Sequence, residues 1–220
     1  MRTQFRDRTE AGELLAERLA AYAHNPDVLV LGLPRGGLPV AAEVAKKLQL
    51  PLDIFVVRKL GLPGHPELAM GAIASGGVRV FNAEVINALR IPDDVINAVT
   101  AEEFQELERR EKFYRVDRPP PDVKGKTVLV VDDGIATGST MLAAVSALRQ
   151  LHAARVVVAT PTLAPSTLEY LSKSADEVVA VMMPSEFYGV GQWYEDFSQT
   201  SDEEVRHLLE TTSQRVMPAI

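Results

Sequence analysis

The sequence predicts an α/β fold in which helices flank a central parallel, twisted sheet. Short apolar runs rich in β-branched residues alternate with stretches whose apolar residues recur at helical spacing. Successive apolar residues favour burial on both faces, which is typical of the inner strands of a parallel sheet. Two of these runs lead into glycine-containing turns ahead of a predicted helix, at the sheet edge where ligands bind in open α/β folds.

The predicted elements alternate along most of the chain. The first helix is predicted over residues 8–23, because Asp7 can cap it and Glu10 follows at capping-box spacing. The strands are predicted at 28–31, 54–57, 128–131, 156–159 and 178–182. The helices between them are predicted at 38–48, 141–151 and 165–174. This order is the βαβ rhythm of a parallel sheet.

The pattern changes in an inserted region at residues 60–122. It contains a glycine- and proline-rich loop, a predicted hairpin around residues 75–77 and a charged helix that begins near Thr100. The helix mixes charges of both signs, so we interpret it as a solvated face and not as a binding patch. Farther along the chain, Ser201 and Glu204 form a second capping box and predict a short structural helix.

Composition predicts one soluble domain over residues 1–220. The 220 residues are 46% apolar, enough for a sizeable core, and the formal net charge of −7 repels nucleic acid and anionic membranes. The absence of cysteine excludes disulfides and thiolate chemistry, and no apolar run approaches the roughly 18 residues of a membrane span. The first residues lack an apolar signal region, so we expect a cytoplasmic protein without nucleic-acid or membrane partners.

The strongest motif begins where the apolar run 128–131 ends. Asp132 and Asp133 follow it, and the segment 134–140, G-I-A-T-G-S-T, then opens a helix. Free backbone N–H groups, the helix dipole and three hydroxyls would favour a phosphate there. The lysine of a nucleoside-triphosphate P-loop is absent, whereas two carboxylates suit the neighbouring hydroxyls of a ribose. The residues therefore indicate a ribose 5-phosphate site; a well-capped helix with solvated acids is the alternative.

The run V-L-V-V-D-D-G-I-A-T-G-S-T resembles the phosphoribosyl pyrophosphate signature of the type I phosphoribosyltransferases. The resemblance covers about residues 28–197 and implies a Rossmann-like sheet with a small hood. It implies that Asp132 and Asp133 hold the ribose hydroxyls and act in catalysis. The 5-phosphate would then be bound by Ala136, Thr137, Gly138, Ser139 and Thr140. The resemblance also implies Mg²⁺ as cofactor, carried by substrate phosphates near the two acids, so we expect no dense protein metal cage.

A second turn of this kind follows the first predicted strand. Arg35, Gly36 and Gly37 lie between that strand and a helix. Two glycines there could relieve a tight turn, or they could let an anion approach the backbone. Type I phosphoribosyltransferases bind pyrophosphate with a loop at this place, and the resemblance assigns that role to residues 33–37.

Two adjacent cations, Arg58 and Lys59, follow the second predicted strand and lead into the loop that reaches His65. They are either solvated or ligands of an anion. The stretch is similar to the flexible loop of adenine and orotate phosphoribosyltransferases, which implies that both cations contact pyrophosphate in catalysis under a mobile lid. His65 could assist the leaving group, although a lone loop histidine is more often solvated.

The acceptor is the least defined part of the predicted site. Residues 183–200 are predicted to form the hood, in which Phe187 and Trp193 could stack on a π-ligand or make a hydrophobic lid or dimer contact. Purine enzymes carry a base-reading lysine where this chain has P-T-L at 161–163. Hypoxanthine-guanine enzymes also carry an acid at the place of Ala136, whereas adenine and orotate enzymes have alanine there.

These observations predict a Mg²⁺-dependent phosphoribosyltransferase. It would transfer ribose 5-phosphate from phosphoribosyl pyrophosphate to a small nitrogenous, nucleobase-like acceptor and release pyrophosphate, and we expect a homodimer. One alternative is a non-catalytic sensor of phosphoribosyl pyrophosphate, although no basic helix-turn-helix supports direct DNA control. Another is a phosphate-ester hydrolase, for which no spacing provides a nucleophile beside a base.

Overall fold

A computed structural model describes residues 4–116 and 118–216, with the side chains of all of these except 66, 67 and 213–216. In chain order the strands are β1 (Val28–Gly32), β2 (Leu52–Ile54), β3 (Val57–Leu62), β4 (His65–Ala74), β5 (Val78–Phe81), β6 (Thr127–Val131), β7 (Arg155–Thr162) and β8 (Glu177–Met182). The helices are α1 (Arg8–Arg18), α2 (Gly37–Leu48), α3 (Ala83–Leu89), α4 (Asp93–Arg115), α5 (Ser139–Gln150), α6 (Pro165–Ser174) and α7 (Asp202–Val216).

Five strands form a parallel sheet in the order β2-β1-β6-β7-β8, which confirms the predicted fold class. Val131 at the end of β6 lies opposite Gly32 of β1 and opposite Ala159 of β7. The carboxyl ends of β1 and β6 are therefore level with each other, and β7 continues past them to Thr162. The loops that leave this edge carry most of the predicted site residues.

Alternate residues of the inner strands enter two separate apolar clusters, one on each face of the sheet. In β6, Leu129 and Val131 join the cluster covered by α1, α2, α4 and α7, whereas Val128 and Val130 join the cluster covered by α5 and α6. All four side chains are fully buried. This two-sided burial explains why the strand is an unbroken apolar run.

A second, antiparallel sheet in the order β3-β4-β5 occupies the inserted region. A 3₁₀ turn at Ser75–Gly77 joins β4 to β5, with Ala74 paired to Val78, so the predicted hairpin around residues 75–77 is confirmed. The helices α3 and α4 follow this sheet and lead back to the parallel sheet through β6. Among the described residues, no helix has the length and apolarity needed to cross a membrane.

The predicted strand over residues 54–57 is wrong, because the chain changes sheets within it. The N–H of Phe55 still donates to Gly32 O in the parallel sheet, but the N–H of Val56 donates to the Ser75 side chain. The run is apolar throughout and residues 54–56 are buried, so its pattern does not show where the hydrogen-bonding partner changes. Arg58 and Lys59 consequently lie inside β3 and not in a loop that follows a strand.

Two predicted helix boundaries also differ from the structure. The first helix ends at Arg18 and continues as a 3₁₀ turn, although its predicted cap is confirmed, because Asp7 accepts a hydrogen bond from the Glu10 N–H at 2.8 Å. The charged helix begins at Asp93, seven residues before Thr100. Pro92 as the capping residue and two acids in the first turn favour that start, which sequence analysis missed together with α3.

Candidate functional site

The two acids after β6 form the centre of the candidate site. Asp132 is half-buried, and its Oδ1 accepts a hydrogen bond from the Asp133 N–H at 2.9 Å. Burial, together with the neighbouring charge of Asp133, raises the pKa of Asp132 well above its usual value. An acid pair in this condition favours a ligand that supplies hydroxyl donors or positive charge.

Arg8 of α1 pairs with the second acid. Its Nε and Nη2 lie 2.9 Å and 2.8 Å from Oδ2 of Asp133, and both side chains are almost buried, with 12% and 13% of their surface exposed. Burial raises the pKa of Asp133, while the Arg8 guanidinium opposes that rise. The ion pair therefore compensates the charge of Asp133, whereas Asp132 forms no ion pair with any described residue.

The signature loop, residues 134–140, is fixed to the end of β7 and to the start of α6. The Ile135 N–H donates to Thr162 O, the Ala164 N–H donates to Ile135 O, and the Thr167 hydroxyl donates to Ala136 O. Gly138 has a φ of 74°, and a Cβ there would lie 2.5 Å from Thr167 Cγ2, so glycine is required at this position. These contacts hold the loop in one conformation ahead of α5.

The same loop presents several backbone donors. Within the described residues, the N–H groups of 136–140 donate no hydrogen bond to another protein group. The hydroxyls of Thr137 and Ser139 are exposed and lie 3.4 Å apart, and Thr140 follows in the first turn of α5. Unpaired N–H groups, hydroxyls and a helix N-terminus together can hold a phosphate.

The first-strand loop, residues 33–37, packs directly against the acid pair. A Cβ on Gly36 would lie 2.1 Å from Asp133 Oδ2, and one on Gly37 would lie 2.9 Å from the Cα of Asp132. Glycine therefore lets this backbone approach the carboxylates. Arg35, whose peptide bond with the preceding residue Pro34 is cis, is partly exposed and lies 4.0 Å from a carboxylate oxygen of Asp202 in α7.

Residues 183–200, predicted as the hood, lie beside the signature loop and the N-terminal segment. The Tyr194 hydroxyl donates to Asp133 O at 2.5 Å, and a Cβ on Gly134 would overlap Val190. Phe187 and Trp193 have ring centres 6.2 Å apart. Within the described part of the chain, the buried Nε1 of Trp193 has no hydrogen-bond partner.

Arg58 and Lys59 point to opposite faces of β3, as neighbouring strand residues do. Arg58 Nε lies 2.7 Å from a carboxylate oxygen of Glu103 in α4, and the Arg58 side chain is 28% exposed. Lys59 is exposed and forms no ion pair with another described residue. The structure thus joins the two acids, the signature loop, the first-strand loop and the hood, while these cations belong to the second sheet.

The charged groups around the acids do not form a metal cage. Among the described residues, no group of three or more histidine, aspartate or glutamate side chains could hold a metal ion. The two acids offer hard oxygen donors, which fit Mg²⁺ if substrate phosphates supply further ligands.

Arg8 and Tyr194 are parts of the site that the sequence did not predict. Arg8 lies 125 positions from Asp133 along the chain, and Tyr194 lies 61 positions from it. Neither residue belongs to a local motif, so no signal in the sequence alone could have identified them.

Comparison with known proteins defines the class to which this fold and this site belong. The model of the family described as phosphoribosyl transferase domain matches residues 64–192. The chain therefore belongs to the phosphoribosyl transferase family, as the resemblance of its signature predicted.

Individual relatives agree with this assignment. A protein of Mycobacterium tuberculosis strain H37Rv, provisionally named a phosphoribosyl transferase, is 47% identical over 206 residues. The match covers 94% of this chain but 46% of the relative, so the chain spans about half the length of the curated relatives it matches first. The crystal structure of a protein from Thermus thermophilus, TT1426, is 43% identical, with 96% of this chain and 99% of that chain covered and a TM-score of 0.84.

A shorter match links the chain to another group of proteins. A ribose-phosphate pyrophosphokinase of Pyrococcus furiosus is 51% identical over 59 residues, which make up 26% of this chain and 21% of the relative. The similarity is therefore local.

Proposed function

We propose that this protein is a Mg²⁺-dependent phosphoribosyltransferase that transfers ribose 5-phosphate from phosphoribosyl pyrophosphate to a small nitrogenous acceptor. The observation that carries the proposal is the placement of two acids directly before a loop of unpaired N–H groups at the N-terminus of α5. The acids suit the ribose hydroxyls, and the loop suits the 5-phosphate. Local similarity to a ribose-phosphate pyrophosphokinase supports a ribose phosphate as the bound unit.

The first-strand loop supplies the second half of the proposed donor site. The N–H groups of Arg35 and Gly36 donate to no described acceptor, and Arg35 adds a positive charge. These groups would bind the pyrophosphate of the donor. Mg²⁺, when bound between these phosphates and the region of Asp132 and Asp133, would neutralise charge on the leaving group.

Catalysis in this proposal rests on position and charge. Transfer breaks the bond between the ribose C1 and pyrophosphate, and the acceptor nitrogen forms the new bond to C1. The two loops would hold the sugar in place, and Lys59, with Arg58, would stabilise the departing pyrophosphate. Asp132 and Asp133 would also act in catalysis, because they would orient the ribose through its hydroxyls.

The acceptor would lie against the hood. Phe187 and Trp193 supply aromatic surface for a flat heterocycle, and the unpartnered Nε1 of Trp193 is a donor that a ring nitrogen or carbonyl could accept. A nucleobase-like acceptor fits this combination. A homodimer and a cytoplasmic location remain part of the proposal.

One observation favours a second candidate, a sensor that binds phosphoribosyl pyrophosphate without turning it over. Arg58 is already paired with Glu103, and Arg35 lies within reach of Asp202, so two of the cations intended for the leaving group have carboxylate partners. A protein that binds the donor without expelling pyrophosphate could keep such pairs.

Calorimetric titration with phosphoribosyl pyrophosphate and Mg²⁺, followed by a panel of purines, pyrimidines and other nitrogen heterocycles, tests the proposal. Release of pyrophosphate with one acceptor supports the enzyme and names its substrate. Binding without release from any acceptor favours the sensor, and absence of binding contradicts both.

Paired variants test the acids directly. Asp132→Asn with Asp133→Asn should weaken donor binding by about 100-fold or more, because hydrogen bonds to charged groups contribute roughly 1.5–3 kcal/mol each. Asp93→Asn with Asp94→Asn, an adjacent and exposed pair in α4, is the matched control and should leave affinity unchanged. Equal donor affinity in the two double variants would mean that Asp132 and Asp133 do not contribute to donor binding.

A further inference from the structure

We propose that Arg8 is a positioning residue that sets the orientation of Asp133 for the ribose. The inference rests on the proposed function, because it concerns the carboxylate that would receive a sugar hydroxyl. No motif marks Arg8, and it lies in the first turn of α1, outside the loops that form the rest of the site.

The contact between Arg8 and Asp133 is one-sided. Nε donates to the carboxylate oxygen Oδ2 at 2.9 Å, and Nη2 lies 2.8 Å from the same oxygen. Among the described residues, the only other donor to this carboxylate is the N–H of Asp133 itself. The ion pair therefore fixes the rotation of the carboxylate and leaves the other oxygen to accept a hydroxyl from a ligand.

Arg8 is itself held by two further contacts. Its remaining nitrogen, Nη1, donates to Ser198 O at 2.6 Å, and its guanidinium carbon lies 4.1 Å from the centre of the Phe197 ring. A hydrogen bond and a cation–π contact on the hood thus define the plane of the guanidinium. A lysine would keep the charge but could not reproduce this planar arrangement.

The pair also fits the first-strand loop closely. A Cβ on Gly36 would lie 2.1 Å from Asp133 Oδ2 and 3.3 Å from Arg8 Nη2. This ion pair therefore includes the acid proposed for ribose and contacts both the loop proposed for pyrophosphate and the hood. Its geometry positions all three relative to one another.

A double-mutant cycle with Arg8→Lys and Asp133→Asn tests the proposal, with ribose 5-phosphate and inorganic phosphate as probes. The dissociation constant of inorganic phosphate divided by that of ribose 5-phosphate measures how much the sugar adds to binding. Arg8→Lys should lower this ratio by about tenfold or more, with phosphate affinity unchanged, and should add no loss in the Asp133→Asn background. Arg6→Gln, an exposed neighbour that pairs with Asp7, is the control and should change neither constant.

Each other outcome contradicts the proposal in a distinct way. Additive losses in the cycle, or an equal loss for both probes, would mean that Arg8 acts on the fold and not through Asp133. If the wild-type protein binds both probes equally, the proposed function fails as well. Phe197→Leu, which removes the ring but no charge, provides a second variant if Arg8→Lys does not fold, and it should lower the ratio in the same direction.

Discussion

The carboxyl edge of the parallel sheet and the antiparallel sheet β3-β4-β5 present anion-binding groups in different ways. At the parallel edge, the donors are N–H groups of two loops, and hydrogen bonds to β7 fix one of these loops in place. In the antiparallel sheet, the candidates are the side chains of Arg58 and Lys59, one of which is paired with Glu103. The fold fixes the positions of backbone donors, whereas charged side chains can form ion pairs with other residues of the protein.

The largest expected effect concerns the close approach of the two loops at the parallel edge. Gly36→Ala should lower the free energy of unfolding by about 3 kcal/mol, or on the order of 10 °C in Tm, because its Cβ displaces the buried Asp133 carboxylate from Arg8. Donor binding should be lost at the same time. Thermal unfolding and calorimetry measure the two effects.

Gly189→Ala is the matched control, because no atom lies within 4 Å of a Cβ there and its φ of 176° suits any residue. It should leave Tm unchanged. A Gly36→Ala protein as stable as this control would show that the first-strand loop can move away from Asp133. That result would contradict a fixed arrangement of the loops at the carboxyl edge of the parallel sheet.

A smaller effect distinguishes the two cations of β3. Lys59→Ala should lower kcat by about 100-fold while the affinity for ribose 5-phosphate stays within about twofold, because Lys59 would contact only the leaving group. Arg58→Ala should lower kcat less, since Glu103 already neutralises its charge. Steady-state kinetics with Lys47→Ala, an exposed lysine of α2, as control measure these differences.

Equal losses in kcat for the Lys59 and Arg58 variants would mean that Arg58 leaves Glu103 when the donor binds. Equal losses in kcat and in ribose 5-phosphate affinity for Lys59→Ala would argue against a leaving-group role.

The smallest effect is a gain in stability. Burial raises the pKa of Asp132, so the folded protein holds this proton more tightly than the unfolded chain, and ionisation destabilises the fold above the raised pKa. Asp132→Asn should therefore raise the free energy of unfolding by about 1 kcal/mol near neutral pH, and the gain should shrink as the pH falls and the wild-type acid becomes protonated. Urea unfolding at several pH values measures it. A variant that is less stable at every pH would contradict a penalty from the buried charge.

The site at the carboxyl edge of the parallel sheet was predictable because the residues that form its motif are consecutive in the sequence. One strand, two acids and one glycine-containing loop are consecutive in the sequence, and a strand buried on both faces has an apolar pattern that needs no knowledge of its neighbours. The fold class followed from the same pattern. The strand at 54–57 was wrong for a related reason: burial alone does not show which sheet supplies the hydrogen bonds.

The contacts between distant segments were not predictable. Arg8 and Tyr194 reach Asp133 from opposite ends of the described chain, and Glu103 reaches Arg58 from a helix 45 positions away. Each of these side chains has many possible partners in an acidic protein with mixed charges. Tertiary packing alone selects one of them.

The bridge between the N-terminal segment and the hood also bears on synthesis. Phe5 exchanges backbone hydrogen bonds with Trp193 and Glu195, and Gln4 donates to Gln192 across 188 positions of sequence. At ordinary translation rates, roughly 10 to 40 s would separate the synthesis of Phe5 from the synthesis of these partners. A chain still attached to the ribosome can therefore complete all five parallel strands while Asp133 still lacks the Tyr194 hydroxyl, so the site would form after the parallel sheet.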